Sequence, residues 1–311
     1  MENGHPQVVV DLSNQLGNQF FQFAAARQFE LDGALVVFSD KAMRGRTRTG
    51  IDRLEQFTGA KLRFASPRQE LGTGCLPRTF FKWPPKSPLK HELLTSPIVL
   101  PTVRRILRTS DHGPRPATLP DRSLYRITGM FQHRSWFERS LDSVLAGMGS
   151  ATRDFLDRVP SFDLCVNLRR GDYVSLGWDL PFDYYVRSLE IMPEYVKSVV
   201  VTSDDRLVAR AFAEYLKSNG YDARPAEDVV IENESLTATQ HDQILRDFCL
   251  IGNAKNVVMS NSTYCWWAVA MGDTINQGSS ERVVAYPQGW LGFPDLESDG
   301  LLRSTWTMVP R

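Results

Sequence analysis

Four short apolar runs in the second half of the chain constrain the fold most: Leu164-Cys165-Val166-Asn167-Leu168, Val199-Val200-Val201-Thr202, Val257-Val258-Met259 and Val283-Val284-Ala285-Tyr286. Helical patterns separate them. Arg206 to Ser218 places Leu207, Val208, Ala211, Phe212, Tyr215 and Leu216 on one face and stops at Asn219-Gly220, and His241 to Ile251 and Tyr264 to Met271 follow. Strands that alternate with helices pair in parallel, so the pattern predicts an α/β fold with a doubly wound sheet. The first half opens the same way, with Val8-Val9-Val10, a polar loop from Ser13 to Gln19 and a helix from Phe20 to Leu31. A chain of 311 residues holds two such units, given about 150 residues per domain. The expected division is 1–150 and 151–311. Residues 77–120 carry nine of the 18 prolines and no sustained period, which predicts irregular chain, either a lid or surface filler.

Charge excludes one class of function. Lys plus Arg equals Asp plus Glu at 36 each, which is not the balance of a dedicated nucleic-acid binder. The halves differ: residues 1–150 carry 21 basic against 13 acidic side chains, and 151–311 carry 15 against 23. Either the two surfaces neutralise each other or the basic half faces an anionic membrane or polyanion. Cys75, Cys165, Cys249 and Cys265 form no CxxC pair, so buried free thiols in a reducing compartment are expected, with neither zinc nor disulfides. No apolar run approaches the ~20 residues of a membrane span and no signal sequence opens the chain, which points to the cytoplasm.

In a doubly wound sheet, ligands bind beyond the carboxyl ends of the strands. The segments that follow the four runs are Arg169-Arg170-Gly171-Asp172-Tyr173, Ser203-Asp204-Asp205, Ser260-Asn261-Ser262-Thr263 and Pro287-Gln288-Gly289-Trp290. They are expected to converge on one crevice. Adjacent arginines offer forked donors to phosphate oxygens, Gly171 permits a tight turn, and Asp172 can orient a guanidinium. Ser260 to Thr263 opens a helix, where free N–H groups, hydroxyls and the positive dipole end favour phosphate. Asp204 can accept two hydrogen bonds from a base edge with adjacent N–H groups, which guanine has. The bland readings are a solvated arginine pair, an N-cap at Ser203-Asp204 and core packing for Trp266 and Trp267. Asn261-Ser262-Thr263 is formally a glycosylation sequon, but no modification is expected. With no Asp-x-Asp and no His/Cys cluster in the chain, no metal is expected, and the arginines are the cations available to a leaving diphosphate.

These segments resemble glycosyltransferase family 11, the α-1,2-fucosyltransferases. Leu16-Gly17-Asn18-Gln19-Phe20-Phe21-Gln22-Phe23-Ala24 is similar to the family's amino-terminal signature, and Gly129-Met130-Phe131-Gln132 with Trp136-Phe137 to its Gly-Tyr-Phe-Gln segment. Arg169 to Tyr173, Ser203 to Asp205 and Ser260 to Trp267 resemble its later motifs in family order.

The resemblance implies a GT-B-like fold of two Rossmann-like domains facing a cleft. It also implies GDP-β-L-fucose as co-substrate, no cofactor, and inverting transfer to a glycan hydroxyl, O-2 of galactose by family precedent. By the same resemblance, Arg169, Arg170 and Asp172 serve catalysis. Gly17, Asn18, Gln19, Asn167, Ser203, Asp204, Ser260, Asn261, Ser262 and Thr263 would bind the donor, and residues 77–120 would lie on the acceptor side. The chain departs from the family at Asn167, where the family has His, and at Ser13-Asn14, where it has paired glycines. Asp11, His133 and Asp179 are general-base candidates by position. The partners so implied are an oligosaccharide or glycoconjugate acceptor, no nucleic acid, and the cytoplasmic face of a membrane for the basic half. The rival readings are a transferase of another GDP-sugar and a non-catalytic sugar-nucleotide or glycan-binding protein.

Overall fold

The computed structural model describes residues 6–40, 49–66, 69, 106–108, 115, 124–231, 240–275, 282–290 and 301–311. The proline-rich segment 77–120 lies outside them except for 106–108 and 115, and Cys75 lies outside them too. The chain forms two compact units. One comprises Met1–Glu55 and Ala60–Leu141, the other Gln56–Gly59 and Asp142–Arg311. The boundary thus precedes residue 150, because helix α3 (Leu141–Ala151) groups almost wholly with the second unit.

The first unit is a four-stranded sheet in the order β2-β1-β4-β3. Its strands are β1 (Gln7–Asp11), β2 (Leu35–Ser39), β3 (Ile106–Arg108) and β4 (Leu124–Thr128), and every pairing is parallel. Helix α1 runs from Leu16 to Leu31, so Leu16 to Gln19, expected as loop, form its first turn. The helix is apolar nearly all round: Phe20, Phe21, Ala24, Ala25 and Phe29 are all buried, as suits an element packed on several sides. Three glutamines on it are buried as well, and each is spent on backbone groups. Gln19 Nε2 donates to Asn14 O at 3.0 Å, Gln22 Nε2 to Gly129 O at 3.0 Å and Gln28 Nε2 to Ser135 O at 2.7 Å. Helix α2 (Thr49–Thr58) follows β2.

The second unit holds a six-stranded parallel sheet in the order β10-β9-β8-β5-β6-β7. The strands are β5 (Leu164–Leu168), β6 (Ser198–Ser203), β7 (Asp222–Pro225), β8 (Asn256–Val258), β9 (Val284–Pro287) and β10 (Thr307–Val309). Helix α4 (Arg153–Leu156) leads toward β5; α5 (Gly171–Leu176) and α6 (Phe182–Glu190) join β5 to β6; α7 (Arg206–Ser218) joins β6 to β7. Helices α8 (Gln240–Asn253) and α9 (Thr263–Ile275) flank β8. All five residues of β5 are buried, the mark of a central parallel strand covered on both faces. Its core includes Leu164, Val166, Val199, Val201, Tyr184 and Phe212.

The stripe that α7 buries is rotated from the expected one. Ala209, Phe212, Ala213 and Leu216 are buried, whereas Ala211 faces solvent and Leu207 is 81% exposed. Small Ala209 and Ala213 let the helix sit close to the sheet, while Leu207, in the first turn, is left in solvent. Trp266 and Trp267 are buried, as expected of core residues. Cys165, Cys249 and Cys265 are buried free thiols, and burial pushes that of Cys165 up to about 12. No helix among the described residues is long and apolar enough to cross a membrane.

Candidate functional site

From β5 the chain proceeds through β6 to β7 on one side, and from β8 through β9 to β10 on the other. The winding therefore reverses between β5 and β8, and the residues leaving those two strands flank the switch point where doubly wound sheets open a crevice. Arg169 to Asp172 leave β5, and Ser260 to Thr263 lead from β8 into α9. Ser203 and Asp204 leave β6, hydrogen-bonded neighbour of β5.

Gly171 makes the turn after β5 feasible. It holds φ +22°, and a Cβ there would stand 2.4 Å from Asp204 Oδ2. Without that side chain, Asp204 reaches the turn. Its Oδ1 accepts the Arg170 backbone N–H at 2.8 Å, and its Oδ2 pairs with Arg169 Nη1 at 2.6 Å. Asp172 Oδ1 takes Arg169 Nη2 at 2.5 Å, so two carboxylates bracket one guanidinium. That guanidinium also stacks over the Tyr173 ring, 5.0 Å from its centroid. Arg170 Nη1 pairs with Asp179 at 2.6 Å. Such braces hold each fork in one orientation.

Beneath the arginines, Asn167 ties three strand ends together. Its Nδ2 donates to Thr202 Oγ1 at 3.0 Å, and its Oδ1 accepts from Ser260 Oγ at 2.5 Å. Thr202 and Ser260 are fully buried and Asn167 nearly so, so the amide expected to meet a base or ribose is engaged within the sheet. Ser203 Oγ accepts from Asp205 N, and Asp205, rather than Ser203 or Asp204, caps α7 by accepting from Leu207 N and Val208 N.

Asn261, Ser262 and Thr263 are buried at the start of α9. Asn261 Nδ2 donates to Trp178 O at 2.8 Å, which clamps the segment carrying Asp179, while its Oδ1 is buried without a partner. A buried, bonded amide is no glycosylation acceptor in the folded chain. The fourth segment is bonded to the chain around β10: Gln288 N bonds Val309 O, Arg311 bonds Gly289 O, and Trp290 is fully buried.

In the first unit, Gly17, Asn18 and Gln19 form the first turn of α1, directly after β1. Gly17 and Gln19 are buried, whereas Asn18 is half-buried and its Oδ1 accepts from Gln132 Nε2 at 2.9 Å. Asn14 has φ +61°, so an asparagine, which tolerates the left-handed region, occupies a position where the resembled family has glycine.

The general-base candidates are all engaged. Asp11 accepts from Arg126 Nε at 3.0 Å and Nη2 at 2.5 Å and from Thr128 Oγ1, in a buried ion pair. Asp179 holds Arg170, and His133 Nδ1 accepts from Ser135 N at 3.2 Å.

One carboxyl escaped the sequence reading. Asp247, half-buried on α8, makes no hydrogen bond to the described residues, and burial raises it to about 7 against the partial relief of Arg246 and Arg206. Glu227 and Asp204 raise it further. One turn earlier, Gln243 accepts from Arg206 Nη2 at 2.8 Å, so this side of α8 faces the loop after β6. Its sequence signal was an Arg246-Asp247 pair set between Leu245 and the apolar run Phe248 to Ile251. No group of three or more His, Cys, Asp or Glu side chains among the described residues is placed to hold a metal.

Fold and site together define an α/β protein of two parallel-sheet units with a carboxylate-braced arginine pair at a switch point. No family model and no curated protein matches the chain. Solved structures similar to it include a FUT1 mutant from Arabidopsis thaliana in complex with GDP, at 14% identity and TM-score 0.47, over 88% of this chain and 70% of that one. NodZ α-1,6-fucosyltransferase soaked with GDP-fucose is similar at 11% identity and TM-score 0.42, over 86% of this chain and 92% of that one. POFUT1 in complex with GDP is similar at 13% identity and TM-score 0.44, over 92% of this chain and 99% of that one.

Proposed function

We propose that the chain is a GT-B-like glycosyltransferase that moves L-fucose from GDP-β-L-fucose to a hydroxyl of a glycan acceptor, with inversion and without a metal. The observation that carries this reading is the placement of Arg169 and Arg170 beside the switch point, each held in a fixed orientation by carboxylates. In the proposed reaction the acceptor oxygen bonds the anomeric carbon as the bond from that carbon to the β-phosphate oxygen breaks. The acceptor proton passes to solvent water, and GDP departs with the electron pair. Negative charge grows on the β-phosphate, so donors fixed beforehand stabilise the transition state more than the ground state. The start of α9, with Ser260, Ser262 and Thr263, adds N–H groups and hydroxyls for the same anion.

Guanine is assigned here to Asp247 rather than Asp204. Asp204 already serves both arginines, whereas Asp247 has no hydrogen-bond partner among the described residues and can accept the paired N–H groups of the base edge. With Asp11, Asp179 and His133 occupied, proton removal falls to no named side chain, which suits a transition state in which the sugar bears most of the charge. The α-1,2 linkage to galactose rests on the family resemblance. The basic first half favours an acceptor at the cytoplasmic face of a membrane, and cytoplasmic residence belongs to the same reading.

GDP release from GDP-fucose over a glycan array, with the product linkage read by NMR and a chelator arm, tests the proposal. Arg169→Ala and Arg170→Ala are each expected to cost about 10²–10³ in rate while the protein stays folded. Near-normal transfer by both, or activity lost to chelator and restored by manganese, refutes it. Competition by UDP or ADP equal to that of GDP refutes the assignment of the base.

A further inference from the structure

Arg169 and Arg170 are held unequally. Arg169 is bracketed by Asp172 and Asp204 and lies over the Tyr173 ring, whereas the Arg170 side chain makes one ion pair, from Nη1 to Asp179 Oδ2 at 2.6 Å. Arg170 Nε is buried without a partner among the described residues, and Nη2 makes no bond to them either. A guanidinium with one carboxylate contact takes its direction from where that carboxylate stands. The backbone that carries Asp179 therefore sets the orientation of Arg170.

That backbone is the arm leaving α5. Gly177, at φ +67°, ends the helix in the left-handed region, and Trp178 N bonds back to Tyr173 O at 2.9 Å. Across the switch point, Asn261, between β8 and α9, ties this arm to the sheet: it is fully buried, and its Nδ2 donates to Trp178 O at 2.8 Å. With a carbonyl as partner, the amide nitrogen must face Trp178. The Oδ1 left over is an acceptor, buried without a partner, and an ionised phosphate has no proton to offer it. Neither end of this amide serves an anion directly. An unpartnered buried acceptor costs stability, which an apolar side chain of similar shape would not.

We infer that Asn261 is a positioning residue for Arg170: by holding the Trp178 carbonyl it places Asp179, and through Asp179 the guanidinium, for a diphosphate at the switch point. This rests on the reading of Arg170 as a donor to that diphosphate. Every residue in it belongs to the carboxy-terminal unit.

The test is GDP and GMP affinity by calorimetry on the full chain, with thermal melting as the check on folding. Asn261→Leu removes the N–H donor together with the unpaired oxygen, and the carbonyl of half-buried Trp178 can turn to water, so Tm is expected to stay close to that of the unmodified chain. GDP is expected to bind about tenfold more weakly, and GMP, which lacks the β-phosphate, by less than about twofold. Asp179→Ala is expected to do the same, and adding Asn261→Leu to Asp179→Ala or to Arg170→Ala is expected to cost nothing more. Unchanged GDP affinity in Asn261→Leu, an equal loss for GMP, or an equal loss in the Arg170→Ala background overturns the inference. Asn261→Ala, which leaves space instead of filling it, is the second variant and is held to the same criteria; loss of cooperative melting in both assigns the amide to the fold and overturns the inference too. If Arg170→Ala weakens GDP while Asn261→Leu does not, the diphosphate reading stands and only the inference falls. If Arg170→Ala binds GDP normally, the reading itself falls.

Discussion

Replacing Gly171 with alanine separates backbone strain from loss of the arginine brace, because Gly177 supplies a matched control. Both glycines have positive φ, +22° and +67°. An added Cβ at Gly177 meets nothing within 4 Å, whereas at Gly171 it meets Asp204 Oδ2 at 2.4 Å and Cγ at 3.2 Å. Ordinary contact therefore requires the carboxylate to withdraw by about 1 Å. Withdrawal of that size takes its 2.6 Å contact with Arg169 beyond hydrogen-bonding range and loosens the 2.8 Å bond to the Arg170 N–H. Strain alone is worth about 1–2 kcal/mol in either variant, and such a loss shifts Tm by roughly 2–4 °C per kcal/mol in a chain of this size class. Displacement of a catalytic cation by about 1 Å costs on the order of 10²-fold. The expected result is a Tm loss for Gly171→Ala that exceeds the strain-only loss of Gly177→Ala, since the contacts of Asp204 are lost as well, with GDP-fucose turnover reduced about 100-fold only in the former. Equal turnover in the two variants would mean that Asp204 does not hold the arginines in the working conformation.

Two further outcomes are expected. Asp247, raised to about 7, is mostly protonated at pH 6 and mostly ionised at pH 8, and only the carboxylate accepts both N–H groups of guanine. GDP affinity is therefore expected to rise with pH through 7, while the contribution of Asp247 to stability falls between pH 4 and 7, the direction for a raised carboxyl. Asp247→Asn should remove both dependences, and a pH-independent GDP affinity in the unmodified chain would remove Asp247 from the site. Asp11→Ala removes the carboxylate that balances the buried charge of Arg126, whose guanidinium keeps neutral partners such as Ser39 Oγ, and should cost about 3–5 kcal/mol in denaturant unfolding. A small stability loss accompanied by a collapse of kcat would restore Asp11 as a base.

Much of this was legible because it is local. The strands β5, β6, β8 and β9 are continuous apolar runs bounded by polar residues, and the turn after β5 announces itself by Gly171 between charged neighbours. Strand β2 is a run of the same kind, Leu35 to Phe38, that the sequence reading passed over, whereas β3, β4, β7 and β10 mix polar with apolar residues and carry no period that separates them from loop, so pairing in the sheet created them. The site shows the same division. Adjacent arginines are visible in any sequence, but the pairing of Arg169 with Asp204, 35 positions away, exists only because β5 and β6 lie side by side.

The roles of single residues turned most on tertiary contact. Asp11 looked like a base until Arg126, on the neighbouring strand β4, enclosed it; Asn167 looked like a ligand until Thr202 and Ser260 took both ends of its amide. Asp247 drew no notice in the sequence, and only the packing around α8 shows it buried enough to be raised, with no hydrogen-bond partner among the described residues. The order of residues along the chain determined which elements form and which polar groups stand at their ends, since periodicity and turn chemistry act over a few residues. Which of those groups are already spent, and which remain open to a substrate, was decided by strand order, because a hydrogen bond between distant residues forms only where the sheet sets their strands side by side.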